Sequence, residues 1–178
     1  MIKKILPFFC VLFLTACSAT GPLFTDAGQI PAGKGRVYVF RPHIHAMSVV
    51  KAQVSVDQNP VIELDDNGYT VIDLPPGSHE FTHSWGKKFY TTDAIINRPF
   101  SIFVPVSAGM TNYILLSSTA NTSLTSLVPL PFGILMSMKT EYAWAMYELP
   151  ATVGREQIVT TRFQPLVIRT EGVSQQSN

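Results

Sequence analysis

Turn signals recur through the middle of this chain and leave little room for anything but short strands. Pro42, Asp57-Gln58-Asn59-Pro60, Asn67-Gly68, Pro75-Pro76-Gly77 and Ala108-Gly109 break it into brief apolar segments. A helix needs a longer uninterrupted run, whereas strands bounded by turns every 8 to 12 residues or so are the mark of a sandwich or barrel. The segments alternate as strands do. Val54 and Val56 share one face of Gln53 to Asp57, and Val61 to Asp65 returns after the turn. Tyr69 to Leu74 and Ser78 to Trp85 follow, the latter placing His79, Phe81, His83 and Trp85 on one side. Arg36 to Arg41 is apolar on both faces, which suits a strand near the centre of a sheet. Asn67-Gly68 reads as a type I′ hairpin turn, since both residues tolerate positive φ. Pro75-Pro76-Gly77 reads as a type II turn.

Further along, Phe100 to Val106 and Thr111 to Ser118 read as strands, and Phe89 to Ile96 as a possible one. Ala120 to Pro131 is expected to be a loop and Ile134 to Met138 a short strand. Thr140 is placed as the cap of a helix running to Leu149 and stopped by Pro150. Val167 to Thr170 offers a last strand before a tail, Ser174 to Asn178, expected to be disordered. The fold expected is an all-β antiparallel β-sandwich of about 7–8 strands with one short C-terminal helix.

The N-terminus carries a different message. Lys3 and Lys4 precede an apolar run, Ile5 to Leu14, followed by Leu14-Thr15-Ala16-Cys17. The run suits a secretory signal and is too short for a membrane span, which takes about 20 apolar residues. A cysteine directly after two small residues is the lipobox order of bacterial lipoproteins. The diacylglyceryl group is attached through the sulfur, which requires a thiol at that position. Two or more acyl chains anchor a protein stably where one does not. Ser18, rather than an aspartate, resembles the sorting signal of lipoproteins sent to the outer membrane. The expected organisation is a signal peptide over 1–16, a lipidated Cys17 and flexible tether over 17–34, a sandwich over 35–150 and a C-terminal extension over 151–178. The domain is expected to face the periplasm.

Cysteine and charge then exclude several functions. The sequence has two cysteines; Cys10 leaves with the signal and Cys17 is alkylated, so neither a disulfide nor thiol chemistry remains. Removing Lys3 and Lys4 takes Lys+Arg from 13 to 11 against 12 Asp+Glu, a formal net charge of −1. No basic stripe supports a nucleic-acid partner. Charged residues are 14% of the chain, few for a domain that touches only water.

A family resemblance is carried by Gly33-Lys34-Gly35-Arg36-Val37-Tyr38-Val39-Phe40-Arg41-Pro42. It continues through Val54-Ser55-Val56-Asp57, Leu74-Pro75-Pro76-Gly77-Ser78-His79, Ala108-Gly109 before Tyr113, and a terminal segment with Glu141, Ala145, Glu148 and Leu149. In these the chain resembles the bacterial proteins grouped as domain of unknown function 2846, mostly short lipoproteins. It departs from them at Gln58-Asn59 and in the long 86–99 segment. The Asp57 and Pro-Pro-Gly turns also look like those of PEGA-type and prealbumin-like sandwiches. The resemblance implies a sandwich and supplies no activity, cofactor or catalytic residue.

Candidate sites are few. His79 and His83, four apart on a strand, are separated by about 13 Å and cannot share an ion. His43 and His45, at i and i+2 with Met47 nearby, could hold a soft metal such as copper, although two nitrogens and a thioether make a thin ligand set. Gly77-Ser78-His79 lacks the strand-to-helix setting of a nucleophile elbow. Asp65 and Asp66 read as turn residues. No catalytic residue and no cofactor is therefore assigned, and the chain is not expected to be an enzyme. The apolar stretch Leu124 to Met138, broken by Pro129, Pro131 and Gly133, is either part of the core or an exposed patch. Leu127 is placed in the core, and Leu130 and Phe132 in a patch that touches the bilayer or an envelope protein. The functional expectation is a non-catalytic, outer-membrane lipoprotein that binds a partner or supports the envelope. The alternative is a periplasmic ligand or metal carrier using His43, His45 and Met47.

Overall fold

A computed structural model of the chain describes residues 18–43, 48, 51–85, 100–130 and 133–166. Among these it forms two packed sheets. Strands β1 (Gly35–Arg41), β4 (Gly68–Leu74), β7 (Thr111–Leu130), β8 (Gly133–Leu149) and β9 (Arg162–Phe163) make one, in the order β8-β7-β1-β4-β9. The second contains β2 (Ala52–Val56), β3 (Asn59–Leu64), β5 (Gly77–Trp85) and β6 (Phe100–Val106), in the order β3-β2-β5-β6. Among the described residues the sandwich is all-β with one short helix, α1 (Ala151–Ile158). Its larger sheet is mixed, however: β1 runs parallel to β7, and β4 parallel to β9.

The core explains the strand patterns. Val37, Val39, Val54, Leu64, Phe81, Val104, Ile114 and Leu116 close the space between the sheets. β1 is buried along its whole length because its other face is covered too. There Tyr38 and Phe40 pack with Tyr69, Tyr113 and Ile158 beneath α1 and the segment before β1, with Phe24 and Ala27 against them. Apolar residues on both faces of Arg36 to Arg41 thus mark a central strand, covered on its outer face by a third layer. Gly154 allows that layer to close, since a Cβ there would lie 2.3 Å from the Cβ of Tyr113.

The structure corrects three expectations. Residues 140–149 are strand β8, not a helix, and the helix begins only after Pro150. Ala and Glu favour helices, but pairing with β7 and burial of Met146 in the inter-sheet core decide the matter; Leu149 packs on the opposite face. Residues 120–130 are not a loop but the continuation of β7, which runs unbroken to Leu130 opposite Gly133. Pro129 is tolerated because, among the described residues, β8 alone is paired with β7 there. Leu127 lies opposite Met136 on this extension, past Leu115, the last residue of β7 registered with β1; its side chain lies outside what the structure describes.

The third correction concerns the lead-in. Residues 18–34 do not form a free tether. Ser18 bridges to Asp66, Ala19 is buried with its N–H donating to the Asp66 carbonyl at 3.0 Å, and Leu23 bridges to Arg162. Phe24 stacks edge-on against Tyr38 and Tyr69. Residues 151–166 are likewise ordered as α1 and β9. The signal peptide, Cys17, the possible strand Phe89 to Ile96, Val167 to Thr170 and the tail lie outside the described residues.

Turn chemistry also differs from the expectation. Asn67 has φ 58, but Gly68 is not in the positive-φ region. The pair of positive φ values that a type I′ turn requires belongs to Asp57 (49) and Gln58 (63). Gly68 is needed for space: a Cβ would stand 2.0 Å from Gln164 Oε1 and 3.0 Å from the Asp65 carbonyl. That amide cannot swing away freely, because it accepts from the Asp65 N–H at 2.8 Å and donates to the Asp65 carboxylate at 2.6 Å. Gly68→Val is therefore expected to cost about 1–3 kcal/mol in thermal unfolding, through overpacking and lost hydrogen bonds. In a Gln164→Ala background the same change should cost less; an equal cost in both would mean that Gln164 is not what it displaces.

Candidate functional site

The end of the sandwich where β1 finishes gathers most of the buried polar groups. Arg41 ends β1 directly after Val37, Tyr38, Val39 and Phe40 and is wholly buried. Its guanidinium carbon lies 5.1 Å from the centre of the Trp144 ring, and Nη1 is 3.5 Å from the Leu64 carbonyl. Burial lowers its pKa, against the pull of Asp66 and Asp65. Asp66, only 1% exposed, binds the His43 ring through its carboxylate and the lead-in through its backbone. Beside it, Lys51 pairs with Asp65 at 3.2 Å. His83, also fully buried, stacks on Trp144 at 6.2 Å and tilts against Phe100 at 4.8 Å. Desolvation, with Arg41 adding to it, pushes its pKa down to about 4, so the ring is neutral at pH 7.

At the opposite end, His79 ties two turns together. Nδ1 lies 2.6 Å from Asp57 Oδ2 and Nε2 lies 2.8 Å from the Pro75 carbonyl. Both partners accept, so both ring nitrogens carry protons and the imidazole is a cation when paired. Burial opposes that charge, but the Asp57 and Pro75 hydrogen bonds outweigh it and the pKa is raised. Asp57 is held below its ordinary value by His79 and by the Glu80 N–H. With both nitrogens donating, His79 cannot serve as a base for Ser78.

The predicted metal residues are not brought together within the described structure. His43 faces Asp66, while His45 and Met47 lie outside the described residues, as does Phe132. Among the described residues no cluster of three or more His, Cys, Asp or Glu could hold a metal ion. Leu130 ends β7 opposite Gly133. Sequence reasoning missed Arg41 and Asp66 as buried groups. A charged residue closing the apolar run Val37 to Phe40 was the available signal for Arg41; nothing local separates Asp66 from half-buried Asp65.

Residues 31–126 match a protein family described as "Protein of unknown function (DUF2846)". The match covers more than half of the chain. The chain belongs to the DUF2846 family. The matched region begins just before β1 and ends within β7, so it contains the whole smaller sheet and the centre of the larger one. β8, α1 and β9 lie beyond it. No curated protein and no solved structure gives a significant match.

Proposed function

We propose that this DUF2846 protein is a non-catalytic lipoprotein, held in the bacterial outer membrane through acylated Cys17, with its sandwich in the periplasm binding a partner or supporting the envelope. The observation that carries the reading is Leu14-Thr15-Ala16-Cys17 at the end of the apolar run Ile5 to Leu14, with Ser18 after it. The docking of Ser18 and Ala19 on Asp66 agrees with it, because the folded body then begins immediately after the lipid-bearing residue. Two or three acyl chains, at about 0.8 kcal/mol per buried CH₂, hold such a body at the surface without any spanning element. Among the described residues no helix is long and apolar enough to cross a membrane.

Cys17→Ser is the direct test. Without the sulfur neither acyl transfer nor lipoprotein cleavage proceeds, so the variant should accumulate as a precursor that still carries residues 1–16. Mass spectrometry of the N-terminal peptide and membrane fractionation read this out. A variant cut and exported like the wild type would sink the anchor.

A further inference from the structure

Past Leu115 the β7–β8 hairpin leaves its neighbours behind. β1 accompanies β7 only over Thr111 to Leu115, while β8 stays paired to it as far as Leu130. Residues 116–130 make roughly 45–50 Å of two-stranded ribbon at about 3.3 Å per residue. A strand crossing a bilayer needs about 9–11 residues.

The register sorts this ribbon into two unlike faces. Leu124, Leu127, Met136, Met138, Tyr142 and Trp144 hold positions on one face, the shift between Leu124 and Ser126 keeping Leu127 in phase. That face continues from Leu116 and Met146 of the inter-sheet core. Asn121, Ser123, Ser126, Ser137, Lys139 and Glu141 hold the other, joined at its far end by Val128, Leu130 and Leu135. From 116 to 138 there is no Asp, Glu, Lys or Arg. One face is mainly apolar, broken by Ser118, Thr122 and Thr140; the other is polar as far as Ser126 and Ser137 and apolar beyond; the far end carries no charge. Such alternation along the ribbon's length resembles a transmembrane β-strand pair.

Direction identifies what receives it. Ser18 is fixed on Asp66, next to the start of β4, where Gly68 stands opposite Arg41. β7 runs parallel to β1 and passes beyond Arg41 at that same end. A lipid on Cys17 and the apolar hairpin therefore leave the sandwich on one side. In hydrocarbon the ribbon would still expose its edges, because β8 and the distal part of β7 have no further strand beside them among the described residues. The matching edge is another copy's: β8 of one chain against β7 of the next repeats one contact around a ring and closes it.

Resting on the lipoprotein reading, we propose that the β7–β8 hairpin enters the membrane to which Cys17 is anchored and joins the hairpins of further copies of this chain, edge to edge, in a closed transmembrane barrel. The serine, threonine and asparagine face lines its aqueous interior.

The chain has no cysteine beyond Cys10 and Cys17, so single cysteines can be placed along the hairpin of the full-length protein in outer membranes. Thr119→Cys, Asn121→Cys and Ser123→Cys should label with a water-soluble maleimide at least several-fold more than Ala120→Cys, Thr122→Cys and Leu124→Cys. The second set should react with a lipid-soluble maleimide instead. Unheated electrophoresis should show a discrete oligomer, lost when residues 119–143 are replaced by an Asn-Gly turn joining the paired Ser118 and Trp144. Uniform labelling by the water-soluble reagent, protection of all six sites from both reagents (a protein cover), or a monomer would each overturn the proposal. Mass analysis of the N-terminal peptide separates the two readings. Lipid with uniform labelling leaves the anchor and removes the hairpin; no lipid with alternating labelling removes the anchor and leaves the hairpin.

Discussion

Replacing Phe81 by alanine is expected to lower the unfolding free energy by about 3–5 kcal/mol, the range for large aromatic-to-alanine changes in a closed core. Phe81 is wholly buried at the middle of β5, between Val56 of β2 and Ile102 of β6. The ring touches the inter-sheet space from the centre of the smaller sheet, where neighbours held on both sides by strand pairing cannot collapse into the void. With domain stabilities of about 5–15 kcal/mol, this single change would remove a large share of the total. Urea unfolding of the wild type and variant measures it. A loss under about 1 kcal/mol would mean that the two sheets do not close over this position.

Acid should find a second weakness at His83. Burial, with Arg41 nearby, holds its folded pKa at about 4 against 6.5 for a free imidazole. Between those values the unfolded chain binds the proton and the folded one does not. The contribution is therefore present above pH 6.5 and lost as pH falls towards 4, reaching about 3 kcal/mol. His83→Phe keeps an aromatic ring beside Phe100 and Trp144 and removes the titration. The difference between the two stability profiles should slope between pH 6.5 and 4 and be flat above. Parallel profiles would mean that water reaches His83 in the folded state.

These positions also show what could be read from the sequence. Strands β2 to β6 were legible because each is short and bounded by residues with special backbone demands. In all but β4, which packs Tyr69 and Val71 on one side and Ile72 and Leu74 on the other, one face is buried and alternation survives. The β7–β8 hairpin was not. Ser118 and Thr122 interrupt its apolar face, and its proline-broken end resembles a loop; only the pairing with a strand some twenty residues away reveals the two faces. Residues 140–149 misled for the same reason, their helical propensity being overruled by a distant partner. The lipobox was legible because its chemistry is local. Arg41, Asp66 and His83 become a site only when the β1 end, the β3–β4 turn and β5 meet. Gly68 was singled out for its backbone but matters for the room it leaves Gln164.

The docked lead-in has a mechanical consequence. Its bonds to the body lie in sequence: Ala19 to Asp66 first, then Pro22 to Phe163, then Phe24 to Thr161. Tension applied at residue 18 loads them one after another, so the segment peels open like a zipper rather than shearing all at once. Peeling stops where Arg36, held to Asp73 at 2.8 and 2.9 Å, enters the central strand. Each freed residue adds at most about 3.3–3.6 Å of reach. Residues 18–34 are thus stored cable, wound along the body at rest and paid out under load before the sandwich itself is strained.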